Sequence, residues 1–230
     1  MELLIGTGEM RKLGYVGFGR STVKRILERH GLWPRPRQGG MSWHDFIGHY
    51  GRFIWACDFF TVTTATLRTY YVLLFIEIGT RRTIFWNVSE APDGVWTEQQ
   101  FRNLSLAHDQ LPRCLLHDRD SKLTTHADAL LAGAGSEAIR LPVRSPDLNA
   151  YAERWVRTVR EECLDRVIVL NESHLRWVLD ESIRYYNERR PHRSLGLRVP
   201  QGPMEYPCAG EVTRRQILGG LINDYYRKAA

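Results

Sequence analysis

An ionised carboxylate in the middle of an apolar strand is costly unless something pairs with it or solvent reaches it. Residues 53–60 read FIWACDFF, seven apolar residues around one charge, Asp58. Aromatic and branched residues at this density favour a strand. Either this strand lies at an exposed edge of a sheet, or Asp58 is a ligand for a cation. That choice organises the reading of the remaining sequence.

Residues 63–66 (TTAT) form a turn, and strands are expected over 70–78 and 83–88. Connections this short imply an antiparallel meander. Asp93-Gly94 opens a helix over 95–108, and 113–117 (RCLLH) is a short strand ending at Asp118. A helix around 127–131, a brief strand over 138–141 and a helix from Pro146, capped by Ser145, complete the core. Three meander strands followed by alternating helices and strands predict an α/β sheet of mixed direction with helices packed over it. A second long helix follows Asn171, with Leu175, Val178, Leu179, Ile183 and Tyr186 as its core stripe. The tail from about Pro200 carries glycine, proline and mixed charge, and reads as a loosely attached extension.

The helix from Pro146 is strongly patterned. At about 100° per residue, Leu148, Ala152, Trp155, Val156, Val159 and Cys163 make one apolar stripe. Asn149, Glu153, Arg157 and Arg160 fall on a neighbouring polar strip. For an isolated helix this strip would be a solvated face.

The net charge of +6 is unevenly spread: residues 1–37 hold eight Lys/Arg against three Glu. Within them a glycine-punctuated turn at 13–19 precedes a helix capped by Ser21, with Val23, Ile26 and Leu27 as its apolar face. A turn leading into a basic helix is how a helix-turn-helix presents side chains to DNA, here Lys24, Arg25 and Arg29. Its first helix, over 3–13, is short, so the segment reads as a truncated module. The stretch 33–40 (WPRPRQGG) is a linker. Cys57, Cys114, Cys163 and Cys208 are scattered, which suits buried thiols in a reducing cytoplasm rather than disulfides or a zinc site. No apolar run approaches the roughly 18 residues of a membrane span.

Three carboxylates stand out by position: Asp58 within the first strand, Asp118 at the end of the fourth, and Glu153 on the late helix. Ligands in open α/β sheets gather at the carboxyl ends of strands. Oxygen-only donors suit Mg2+ or Mn2+, and two such ions about 4 Å apart can assist in-line displacement at phosphorus.

The segments WACDFFTV, LLHDRDSKLT, SPDLNAYAERWVRTVREECLD and YYNERRPHRSLG resemble the catalytic core of insertion-sequence transposases with a retroviral-integrase-like (DDE) core. The resemblance runs over residues 43–197. It implies a ribonuclease-H-like fold, a mixed five-stranded sheet with flanking helices, preceded by the partial helix-turn-helix segment (1–37) and followed by the extension 198–230. It maps the acid triad onto Asp58, Asp118 and Glu153, with Asp120 as the rival to Asp118. Asp118 and Glu153 are separated by 34 residues, close to the family's spacing.

The resemblance further implies two Mg2+ or Mn2+ ions on the triad, cleavage at the ends of a mobile element and joining of the freed 3′-hydroxyl to target DNA. Arg157, Arg160 and Asn149 would contact DNA, the alternative for the arginines being pairing with Glu153 and Glu161. His117 would be structural. The partners would be DNA ends, target DNA and further copies of the chain assembled on DNA, with no membrane. A chain of this family without useful catalysis would instead be a DNA-binding regulator of transposition.

Overall fold

The computed structural model describes residues 20–29, 43–141, 146–202 and 209–228. The chain divides into two compact units, residues 1–43 and 44–230. In the first, helix α1 (Arg20–Arg29) carries Lys24, Arg25 and Arg29 on exposed positions, and Lys24 pairs with Glu28 at 3.7 Å. Ile26, expected on the apolar face, is exposed. The expected helix at 3–13, the turn at 13–19 and the linker lie outside the described residues.

The second unit opens with a helix that the sequence pattern does not announce, α2 (Trp43–Tyr50). Its eight residues include two histidines and a glycine and bury Ile47, which gives too little periodicity to mark a helix. The sheet follows: β1 (Ile54–Thr63), β2 (Thr69–Glu77), β3 (Thr83–Ser89), β4 (Cys114–His117) and β5 (Glu137–Arg140). Their order is β3-β2-β1-β4-β5, with β1–β2–β3 antiparallel and β1–β4–β5 parallel, the mixed sheet expected. β1 is therefore the central strand, and an edge position for Asp58 is ruled out.

Successive side chains of a strand face opposite sides. On one side Ile54, Ala56, Phe60 and Val62 of β1 join Val72, Leu74 and Ile76 of β2. That side is covered by α5 (Pro146–Glu162) and α6 (Glu172–Glu188), through Ala152, Trp155, Val159, Leu175, Val178, Leu179 and Ile183. On the other, Trp55, Cys57, Leu73 and Phe75 meet Phe101 and Leu104 of α3 (Gly94–Ala107) and Ala127 and Leu131 of α4 (Thr125–Gly133). Helix starts follow capping chemistry: Asp93 accepts from Trp96 N–H at 2.7 Å, Thr124 from Ala127 N–H at 3.1 Å, and Asn171 from His174 N–H at 2.9 Å. Ser145, the expected cap of α5, lies outside the described residues.

Cys57 and Cys163 are buried free thiols and Cys114 is half-buried and free. Among the described residues no helix is long and apolar enough to cross a membrane. The tail differs from expectation. Rather than a loose extension it forms a hairpin, β6 (Val212–Ile217) and β7 (Ile222–Arg227). Leu218 and Leu221 between the strands pack on the main core, and Ile217 and Ile222 are buried. Two buried isoleucines are too small a periodic signal to mark this element in sequence.

The turn after β2 meets the one before β1 backbone to backbone: Gly79 N–H donates to Gly51 O at 2.9 Å, and a Cβ on Gly79 would stand 2.6 Å from Arg52 N. Gly79→Ala should therefore force the β1–β2 entrance apart and destabilise the fold by about 1–3 kcal/mol, measurable as a lower urea midpoint with unchanged slope.

Candidate active site

Asp58 follows the alternation of β1 onto the face that α5 covers, opposite Leu74 of β2. The parallel register of β1 and β4 pairs Ile54 with Cys114 and Ala56 with Leu116. Asp118 follows the end of β4, two residues beyond the last β1–β4 pair, and its charge is among those that act on Asp58. Asp58 is half-buried, and its Oδ1 accepts the Phe59 N–H at 2.9 Å. Burial raises its pKa from 3.8 to about 7, with Asp118 adding repulsion and Glu153 and Asp120 adding less, while the Phe59 N–H opposes the rise. The carboxylates are close enough to feel one another's charge.

Asp118 comes one residue after β4, and its Oδ1 accepts the Asp120 N–H at 3.0 Å. Asp120, the rival candidate, is engaged otherwise: Lys122 Nζ reaches both its oxygens at 2.8 Å. His117, fully buried, has Nδ1 at 2.7 Å from Asp118 O and Nε2 at 3.1 Å from Asp128 Oδ1. The Nε2–Asp128 approach lacks hydrogen-bond alignment, so proximity rather than a bond describes it. Arg140 Nε holds the other oxygen of Asp128 at 2.8 Å. His117 thus sits behind the backbone of Asp118 rather than in the cleft.

Glu153 is exposed on α5 and shares with Asp58 an open cleft of about 360 Å³, also lined by Val156, Arg157, Arg160, Glu161 and Asp165. The two arginines differ. Arg160 lies nearer the apolar stripe by helical angle, and reaches down to β1, where Nη2 donates to Thr61 O at 2.6 Å and the guanidinium lies 5.7 Å from the Phe60 ring centre. Arg157 is exposed and makes no hydrogen bond or ion pair among the described residues. Neither pairs with Glu153 or Glu161 among those residues.

Asn149 departs from its expected place on the polar strip. It is 7% exposed, and its Oδ1 has no hydrogen-bond partner among the described residues. By the helical period it stands only about 20° from Val156, so the border of the strip is drawn under the protein surface. Lys24, Arg25 and Arg29 belong to the other compact unit. Asp165, in the single turn Leu164–Arg166 after α5, also lines the cleft; the sequence pattern did not single it out, because it lies past the end of the helix's periodic pattern.

The donor set is all oxygen, which suits a hard divalent cation and not zinc. Yet among the described residues no group of three His, Cys, Asp or Glu side chains stands close enough to hold one ion. Like charges of this kind resist convergence unless a cation lies between them. The donors therefore fit such an ion in chemistry and neighbourhood, while the closed ligand set is not formed.

The chain is similar to known proteins in part of its sequence and in its fold. Residues 134–200 match the integrase core domain family. A 39.2 kDa uncharacterized protein of insertion element IS476 from Xanthomonas euvesicatoria is 27% identical over 64% of this chain and 42% of its own length. A 31.7 kDa uncharacterized protein of insertion element IS407 from Burkholderia multivorans is 24% identical over 72% of this chain and 61% of its own. The chain thus spans less than two thirds of either relative.

The fold is shared with the BIV integrase catalytic core (TM-score 0.51, 14% identity, 66% of this chain and 92% of that one). The HTLV-2 integrase catalytic core, solved in complex with magnesium, gives a TM-score of 0.51 at 10% identity over 65% of this chain and 95% of that one. At these identities the likeness concerns the fold.

The raised pKa of Asp58, about 7, has a consequence for stability. Between about pH 4 and pH 7 the folded chain keeps a proton that the unfolded chain has released, so this contribution is fully present below about pH 4 and is lost as pH rises through 7. Asp58→Asn should raise Tm over the parent at pH 8 in divalent-free buffer, and the difference should vanish near pH 4 in thermal melts.

Proposed function

From a chain that carries an integrase core domain on the fold of retroviral integrases, with insertion-element proteins as relatives, we propose a DNA transposase that cleaves the ends of a mobile element and joins them to target DNA. The observation that carries this reading is the cleft in which Asp58 from the central strand and Glu153 from α5 face one another, flanked by Arg157 and Arg160. The charge of Asp118, which acts on Asp58, supports its membership of the same triad.

In this reading Asp58, Asp118 and Glu153 hold two Mg2+ or Mn2+ ions. The ions, when bound, supply activation of an attacking oxygen and charge neutralisation at phosphorus. The side chains of the protein do the remaining work. Asp58 sits on the central strand, Asp118 directly after β4 and Glu153 on α5, and acids carried on or next to such elements would be held rigidly. Arg157, whose donors have no partner among the described residues, grips a phosphate of the bound strand and sets its register. Arg160, anchored by the Thr61 carbonyl, holds a fixed positive charge at the wall of the cleft. Hydrolysis at the element end and attack by the freed 3′-hydroxyl are the same displacement with different nucleophiles, so one cleft serves both. Joining two ends in concert requires more than one protomer, so the active species is an oligomer assembled on DNA.

Incubation with Mn2+ and DNA bearing the element's ends should give nicking and joined products, with Asp58→Asn and Glu153→Gln each lowering the rate at least about a hundredfold, the equivalent of several kcal/mol of barrier. If both variants nick as fast as the parent, the site assignment is wrong. A chain that binds DNA with steep salt dependence but nicks nothing in either cation would be a DNA-binding regulator of transposition instead.

Binding of the ion can be read without catalysis. Millimolar Mn2+ should raise the Tm of the parent by mass action and leave that of Asp58→Asn unmoved. An equal rise in both would place the ion elsewhere.

A further inference from the structure

The hairpin β6–β7 has two unlike faces. Alternation sends Thr213, Arg215 and Ile217 of β6, with Ile222, Asp224 and Tyr226 of β7, toward the protein. There Ile217 and Ile222 are buried, Asp224 is buried and paired with Arg215 at 3.0 Å, and the Arg189 guanidinium lies 5.9 Å from the Tyr226 ring centre. This face is anchored through Ile217, Ile222 and Asp224, with Arg215 still exposed, and it uses the one carboxylate of the ribbon.

The opposite face presents three cross-strand pairs, Val212 with Arg227, Arg214 with Tyr225 and Gln216 with Asn223. All six are exposed, Tyr225 at 65%. None is acidic; Glu211, the nearest exposed carboxylate in sequence, stands outside the strand at the base. Arg227 donates to the Gly210 carbonyl at 2.8 Å, and Arg214 makes no hydrogen bond or ion pair among the described residues. The two arginines are diagonal neighbours on one face, about 7–8 Å apart at their backbones. Two like charges this close on a rigid ribbon, with amides and a tyrosine around them and no acid between, are stabilised by an anion laid across them. Arginine, tyrosine, asparagine and glutamine are the side chains that grip phosphate and sugar, and a two-stranded ribbon is narrow enough to follow a duplex.

We propose that the outer face of this hairpin is a second DNA-backbone contact, separate from the residues that line the catalytic cleft, with Arg214 and Arg227 each neutralising a phosphate. It rests on the reading of the chain as a DNA-acting protein. Its task is affinity and orientation of the bound duplex rather than chemistry, because no side chain on the face can act as acid, base or metal ligand near neutral pH.

Fluorescence anisotropy with the full chain and a labelled duplex, titrated over a range of salt, tests it. For Arg214→Gln/Arg227→Gln the slope of log affinity against log salt should shrink by about 1.8, that is roughly 0.9 for each phosphate left without its arginine, and for Arg214→Gln alone by about half as much. The single variant guards against a folding effect, since Arg214 has no partner to lose, and an unchanged Tm checks the same point for the pair. A parent that binds the duplex while both variants keep its slope overturns the ribbon proposal alone. A parent with no affinity for duplex DNA overturns the functional reading beneath it. Variants that change the sedimentation coefficient of the free protein but not the slope show the face to be a contact between protein copies, which also overturns it.

Discussion

Asp58 on the central strand is the constraint around which the second unit is arranged. Its neighbours in β1 and β2 are nearly all apolar, because a central strand has both faces covered. A carboxylate there is strained toward its neutral form, and the nearby acids make the strain larger rather than smaller. Such an arrangement serves no packing purpose, since a threonine or valine would fit β1 better. Charge is concentrated there where solvation is poor, at the cost of stability, which is the observation behind the proposed cation site.

The other elements bring partners to that point. β4 runs parallel to β1 and ends at His117, so Asp118 follows directly, its charge acts on Asp58, and the buried His117 ring lies against the carbonyl of Asp118. α5 supplies Glu153 by lying across the same face. It is held there by its stripe of Ala152, Trp155 and Val159, by the Trp155–Phe60 ring contact at 6.0 Å, and by Arg160 reaching the Thr61 carbonyl. At its far end Glu162 pairs with Arg190 beyond α6, and Asn187 of α6 bonds both the N–H and the carbonyl of Thr83 on β3. The helix bearing the third acid is thus tied through α6 to the far edge of the sheet.

Much of this was legible from one-dimensional pattern. The strands, helices α3 to α6 and the Asp93 and Asn171 starts of α3 and α6 follow from periodicity and capping residues, and the order of the elements specifies a mixed sheet. The acids stand out because carboxylates rarely occupy such positions. Departures came where the signal was too short or lay at a boundary. α2 and the final hairpin bury one and two large aliphatic residues in their own spans, too few to set a period. Asn149 lies at the rim of a polar strip, where an angular estimate cannot decide between water and protein. Asp165 lies in a short turn just past the helix, beyond its periodic pattern.

By itself the sequence determined which residues alternate, which helices have a face to bury and which carboxylates stand among apolar neighbours, since these depend on side-chain identity at short separation. Tertiary structure alone decided what stands next to what. The pairing of β1 with β4, the anchoring of Arg160 while Arg157 has no partner among the described residues, and the seating of the two-faced hairpin all depend on segments distant in the chain. Their positions are set by packing of the whole core, and a charged group's role follows from the neighbours that packing assigns to it.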